Sequence, residues 1–262
     1  MPKADLNPLG RFSDRVEDYV RYRPSYPLSL VDFLRRNAGL EAGASVADVG
    51  SGTGILTRLL LDAGARVHAV EPNDAMRRAA ESEFGDRSGF VSVNGTAEKT
   101  GLPSAVVSLI TCAQAFHWFE PGETRVEFAR ILKPGGRCAI IWNNSVAHDS
   151  AFASGYEAIR SRFRTDSGRV HHENIRALEE FDSFFGRGNW QRHSFDNFQV
   201  LDRIGLRGRM LSASYAPKSG HPAYESMIAA LDELFERCQA NGIVRMDYNT
   251  ELFLGTFPSP AA

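Results

Sequence analysis

Between residues 45 and 142 the chain alternates two patterns: short apolar runs, and longer segments whose apolar positions recur every three or four residues. Ser45–Val49, Arg66–Val70, Phe90–Val93, Val106–Cys112 and Arg137–Trp142 are too short for helices and rich in β-branched residues, so they read as strands. Val106–Cys112 is the most uniformly apolar, the pattern of a central parallel strand. Ile55, Leu56, Leu59 and Leu60 keep helical spacing and stop at Gly64; Asp74 to about Phe84 and Glu123–Leu132 do the same. Asp74 is the expected cap of its helix, and Lys133-Pro134-Gly135-Gly136 the expected turn. Upstream, Leu30, Val31 and Leu34 share a helical face that ends at Gly39. Strands alternating with helices predict an α/β fold: a Rossmann-like, doubly wound, mostly parallel seven-stranded sheet with right-handed crossovers. Its ligand is expected at the carboxyl ends of the strands.

The regular alternation breaks after Asn144. Residues 145–215 are rich in Arg, Phe, Ser and Gly and read as a partly helical insertion over the sheet, with a short strand-like stretch at Met210–Tyr215. Met227, Ile228, Leu231, Leu234, Phe235 and Cys238 restore a helical face, opened by Pro222 and closed by Asn241-Gly242. Val244–Tyr248 and Glu251–Gly255 read as an antiparallel hairpin turning at Asn249. The expected organisation is a ligand-binding core with an N-terminal lid in 1–144, a cap insertion in 145–215, and a helix and hairpin in 216–262 that complete the core.

Composition narrows the partners. A 262-residue chain with net charge -2 has no electrostatic bias toward nucleic acid or an anionic membrane. No run approaches the roughly 20 apolar residues of a membrane span, and the start lacks the apolar core of a signal peptide. Cys112, Cys138 and Cys238 fit neither a zinc spacing nor a disulfide framework, so a cytoplasmic location is expected. No metal is expected at His171-His172-Glu173 either, because adjacent histidines point in different directions. A small-molecule partner in an enclosed pocket fits best.

The chemistry concentrates at Val46-Ala47-Asp48-Val49-Gly50-Ser51-Gly52-Thr53-Gly54, where a strand ends in a glycine turn and a helix follows at once. Such a unit brings a nucleotide close to the main chain. A dinucleotide loop spaces its glycines G-x-G-x-x-G, whereas here the third glycine comes one residue early, and no Walker lysine is present. Glu71 ends the second strand, where an acceptor-only carboxylate can take both hydroxyls of a ribose.

Asp48-Val49-Gly50-Ser51-Gly52-Thr53-Gly54 with Val70-Glu71-Pro72 resembles the first motif and acidic partner of class I S-adenosylmethionine-dependent methyltransferases. Thr96-Ala97-Glu98 resembles that family's adenine segment, and Leu132–Gly136 the turn before its fifth strand. Phe12, Tyr19, Arg23, Pro24, Tyr26 and Pro27 resemble the N-terminal pattern of the trans-aconitate methyltransferase-like, type 11 branch. The resemblance implies S-adenosylmethionine as methyl donor. Asp48, Gly50, Ser51 and Gly52 would meet its amino acid part, Glu71 and Pro72 its ribose, and Ala97 and Glu98 its adenine, with Ala113 at the reacting end. Arg23 and Tyr19, one helical turn apart, would hold its carboxylate.

The fourth strand runs into Ala113-Gln114-Ala115-Phe116-His117-Trp118-Phe119, whose aromatic faces suit a sulfonium cation. His117, with an ordinary pKa near neutrality, is the candidate base, Tyr19 a second candidate catalytic group, and packing is the alternative role for His117 and Trp118. Tyr22, His117, Trp118 and Ser214 are the candidate acceptor contacts. Arg160, Arg162 and Arg164 read as a solvated face or as a clamp for an acidic substrate. The same fold could instead break the sulfonium by cyclisation or elimination, releasing methylthioadenosine, or could bind the donor without catalysis; a nicotinamide oxidoreductase is the third rival.

Overall fold

Alternate residues of each central strand face opposite ways and are buried on both sides, so helices must cover both faces. The computed structural model describes residues 20–146, 150–165 and 178–258. Strands β1 (Ser45–Val49), β2 (Arg66–Val70), β3 (Phe90–Val93), β4 (Val107–Ala113) and β5 (Leu132–Ser145) run parallel. Strands β6 (Trp190–Leu201) and β7 (Val244–Gly255) complete a seven-stranded sheet of order β3-β2-β1-β4-β5-β7-β6, with β7 antiparallel to both neighbours. The order reverses between β1 and β4, which is where such sheets bind ligands.

Helices α1 (Leu28–Asn37), α2 (Ile55–Asp62) and α3 (Asp74–Phe84) cover one face. Leu30, Leu34, Leu56, Leu60 and Phe84 pack there with Val46, Val67 and Leu109. Helices α4 (Pro121–Ile131) and α6 (Leu178–Phe185) cover the other, around Ala47, Val49, Ile110, Cys112 and Ile140. That second core is aromatic: the Phe181 ring stacks on Phe253 at 4.1 Å, and Phe184 meets Phe116 edge-on at 4.7 Å. Helices α5 (Ala151–Phe163), α7 (Arg203–Leu211) and α8 (Tyr224–Cys238) form a third cluster on β7, around Tyr156, Met210, Leu231 and Tyr248. No helix among the described residues is long and apolar enough to cross a membrane.

Five expectations change. The predicted hairpin at Asn249 is one continuous strand, because Asn249 and Thr250 stay in register with Asn144 and Asn143 on one side and with Asp196 and Phe195 on the other. The antiparallel hairpin is instead β6 with β7, so Trp190–Leu201, expected within the cap, belongs to the sheet. As an edge strand it fully buries only Leu201, which keeps its sequence polar. Met210–Tyr215 is not strand-like: Met210 and Leu211 form the end of α7, whose start is set by Asp202 accepting from Gly205 N at 2.6 Å. Finally, Asn73 rather than Asp74 caps α3, accepting from Met76 N at 3.0 Å, and Lys133–Gly136 is absorbed into β5 beside a register shift.

Candidate functional site

The glycine loop leaves β1 with its first turn in the left-handed region, at Gly50 (φ 68°). A Cβ there would lie 2.5 Å from that of Ala115, so only glycine lets the segments after β1 and β4 meet. Gly50 N and Ser51 N both donate to Val70 O, at 2.9 and 3.2 Å, tying the loop to the end of β2. Asp48, Gly50, Ser51 and Gly52 line a narrow cleft of about 30 Å³ with Tyr26, Ile55, Leu56 and Ala113.

Two buried carboxylates hold this loop. Asp48 is 1% exposed and accepts from Thr57 Oγ1 at 2.6 Å and Thr111 Oγ1 at 2.8 Å. Burial pushes its pKa up to about 6, against the opposing pull of the two hydroxyls. Glu71 Oε2 accepts from Gly52 N at 2.9 Å, and Oε1 from Asn73 N at 2.8 Å. Burial raises the Glu71 carboxyl as well, opposed by those two amides and by Arg77. Pro72, half-buried, separates Glu71 from the capping Asn73. The hydroxyls of Ser51 and Thr53 are buried with no partner among the described residues, so the loop has polar capacity left for a ligand.

Ala97 is buried, while Glu98 Oε1 accepts from Glu120 N at 2.8 Å and so ties the segment after β3 to the start of α4. At the end of β4, Gln114 takes φ 56°, rare for a non-glycine residue. Its Nε2 donates to Asn143 O at 3.0 Å, which holds the strained turn. Phe116 is buried in the aromatic core; His117 and Trp118 are half-buried on a short 3₁₀ turn with rings 4.9 Å apart.

The N-terminal arm crosses the carboxyl ends of the strands. Ser25 O accepts from Asn143 Nδ2 at 3.1 Å and Asn197 Nδ2 at 2.7 Å, and Tyr22 O from Gln199 Nε2 at 3.0 Å. The Tyr22 ring lies so close to Gly208 that any Cβ there would collide with it. Arg23 donates from Nη2 to Ser212 O at 3.0 Å. Ser214 is half-buried on the turn after α7. Tyr19 and His171-His172-Glu173 lie outside the described residues.

Of the residues singled out from the sequence, Asp48, Gly50, Ser51, Gly52 and Ala113 meet in one cleft, and Glu71 adjoins it. Glu98 instead faces α4, and Arg23 faces the turn after α7. Sequence reasoning missed Tyr26 in the cleft, Thr57 and Thr111 on Asp48, and the amide side chains that pin the arm. Thr111 left a signal, a hydroxyl inside the otherwise apolar run Leu109–Ala113.

The family profile described as a methyltransferase domain matches residues 47–140, the span from β1 into β5. An uncharacterised methyltransferase of Geobacillus sp. (strain WCH70) is 31% identical over 184 residues, 65% of this chain and 84% of that one. An uncharacterised methyltransferase-like protein of Schizosaccharomyces pombe is 28% identical over 259 residues, 95% of this chain and 96% of that one. An uncharacterised methyltransferase of Mycobacterium tuberculosis is 39% identical over 133 residues, and against it the chain spans about half (51%) of the relative's length. Among solved structures, one from Anaeromyxobacter dehalogenans that carries a type II methyltransferase name superposes with TM-score 0.68 at 23% identity, covering 91% of this chain and 100% of that one. That likeness shows a shared fold.

Proposed function

This chain belongs to the methyltransferase family, and from that premise we propose that it transfers a methyl group from S-adenosylmethionine to a small-molecule acceptor in the cytoplasm. The observation that carries the reading is the glycine loop held between two buried carboxylates at the point where the sheet order reverses. S-adenosylmethionine supplies, when bound, an electrophilic methyl on a sulfonium and leaves as S-adenosylhomocysteine.

The residues present fit that donor. A carboxylate offers about four acceptor positions. Glu71 uses one on each oxygen for Gly52 and Asn73, which leaves capacity for two ribose hydroxyls without releasing the loop. In this reading the Ser51 hydroxyl, which has no partner among the described residues, would meet the donor's amino acid part, with Asp48 behind it. In this reading Pro72, Ala97 and Glu98 border the nucleoside, Arg23 and Tyr19 the donor carboxylate, and Ala113 the methyl. His117, Trp118, Tyr22 and Ser214 would face the acceptor. The core that holds the donor is then 1–144, and the acceptor's cover is drawn from α5, α7 and α8.

Because in-line displacement at carbon gains chiefly from alignment and exclusion of water, the rigid turn at Gln114 matters as much as a base. In this reading His117 would take a proton from an acceptor that must lose one. Isothermal titration should show S-adenosylmethionine and S-adenosylhomocysteine binding and NAD failing to bind; the reverse result sinks the reading. Methylthioadenosine as product, in place of S-adenosylhomocysteine, would replace methyl transfer by cyclisation or elimination.

A further inference from the structure

Helix α7 carries three arginines with different surroundings. Arg203 pairs with Glu236, and Arg207 forks onto Asp232, its Nε donating at 2.8 Å. Arg209, two residues on and half-buried, has no carboxylate partner among the described residues; its Nε donates to Tyr248 Oη at 3.2 Å. A guanidinium withdrawn from water without a counter-ion is costly, and proteins rarely leave one so unless something else supplies the charge.

The surroundings of Arg209 repeat the imbalance. Tyr156, 7% exposed, lies within electrostatic reach of Arg209, Arg23, Tyr215 and Tyr248. The Arg160 and Arg164 guanidinium carbons lie 5.9 and 5.1 Å from the Tyr215 ring centre. Among the described residues Arg160 has one acid, Glu157, at 2.5 Å, and its buried Nε has no partner. Burial raises the Tyr156 phenol, so it is a neutral donor at physiological pH. The cluster therefore offers fixed N–H and O–H donors and an excess of positive charge.

Its position is informative. Tyr248 stands opposite Ser145, the last residue of β5, and Arg23 reaches Ser212 from the arm over the strand ends. The cluster thus sits at the end of β5, on the side of the sheet that the arm crosses. We propose that Arg160 and Arg209, with the hydroxyls of Tyr156 and Tyr215, form an anion subsite that holds a carboxylate or phosphate group of the methyl acceptor. The proposal rests on the methyltransferase reading for the identity of its ligand as acceptor. Arginine forks match both oxyanions, and phenolic hydroxyls complete the shell.

The test titrates the full chain, loaded with S-adenosylhomocysteine, with succinate, its neutral isostere succinamide, and phenyl phosphate. Succinate or phenyl phosphate should bind saturably and succinamide should not; the tighter of the two anions names the oxyanion. Arg209→Gln should weaken that binding by about tenfold to a hundredfold, as expected for loss of a charged hydrogen bond, with S-adenosylhomocysteine affinity unchanged. If Arg209→Gln does not fold, Arg160→Gln and Tyr156→Phe decide by the same loss. Equal binding of succinate and succinamide, no anion binding at millimolar concentration, or unchanged affinity in the folded variants overturns the subsite. Failure of S-adenosylhomocysteine to bind is a separate result against the methyltransferase reading, and the anion titration is then read on the unloaded protein.

Discussion

The glycine loop and the cluster around α7 are built from opposite charges. Around the glycine loop the buried ionisable groups are acids, and each is occupied: Asp48 by two hydroxyls, Glu71 by two amides. Around α7 they are arginines among phenols, and Arg209 lacks a counter-ion among the described residues. A donor that is cationic at sulfur and an acceptor that is anionic would each meet the complementary end. The contrast also separates two uses of a charged side chain. The acids hold the loop through protein donors alone, whereas in the proposed subsite the arginines would gain most from a bound anion.

Experiments can break this contrast, since changes at the acceptor end should spare donor binding and changes at the loop should not. The largest expected effect is at His117. His117→Ala should lower turnover by about 10²–10⁴-fold if the histidine is a base, measured as S-adenosylhomocysteine released with an acceptor found among anionic compounds. Unchanged turnover with lowered thermal stability would assign it to packing.

Next is Asp48, whose folded pKa of about 6 stands above its ordinary 3.8. A carboxyl raised on folding stabilises fully below the lower value, and that contribution is lost as pH rises through the upper one. The stability of the wild type relative to Asp48→Asn should therefore fall by about 3 kcal/mol between pH 3.8 and 6, followed by urea unfolding across that window. A flat difference would place a charged Asp48 in the folded loop.

Glu71→Ala should weaken S-adenosylhomocysteine binding by about 1–3 kcal/mol in titration calorimetry, because the ribose hydroxyls and Gly52 N lose their acceptor. Unchanged affinity would confine Glu71 to stapling the loop. The smallest effect is expected at Asn197, which joins the arm to the edge strand through Ser25 O. Asn197→Ala should cost about 1 kcal/mol of stability and speed hydrogen exchange in residues 22–27, with little change at the loop.

Legibility in the sequence followed the range of the interactions. Strands β1, β2 and β3 were readable to the residue because each is a short, mostly apolar run, buried in β1 and β2 and half-buried in β3, with a Gly or Pro within two residues of its end. Strand β6 was not, because half of it faces solvent and its polar positions are satisfied by partners far away: Arg192 on Glu251, Asn197 on Ser25, Gln199 on Tyr22. Asn249 looked like a turn for the same reason, its backbone being paired on both sides by strands remote in sequence.

The sequence by itself determined the α/β class, the strand–glycine–helix unit and the residue types that line the cleft after β1, since those depend on local periodicity and on the conformations only glycine adopts readily. Only the tertiary structure decided that Glu71 staples Gly52 and that Arg23 turns to Ser212. It also gathered Arg160, Arg209 and three tyrosines into one cluster. Those pairings join residues far apart in the chain, and no local pattern encodes which distant partner will satisfy a buried charge.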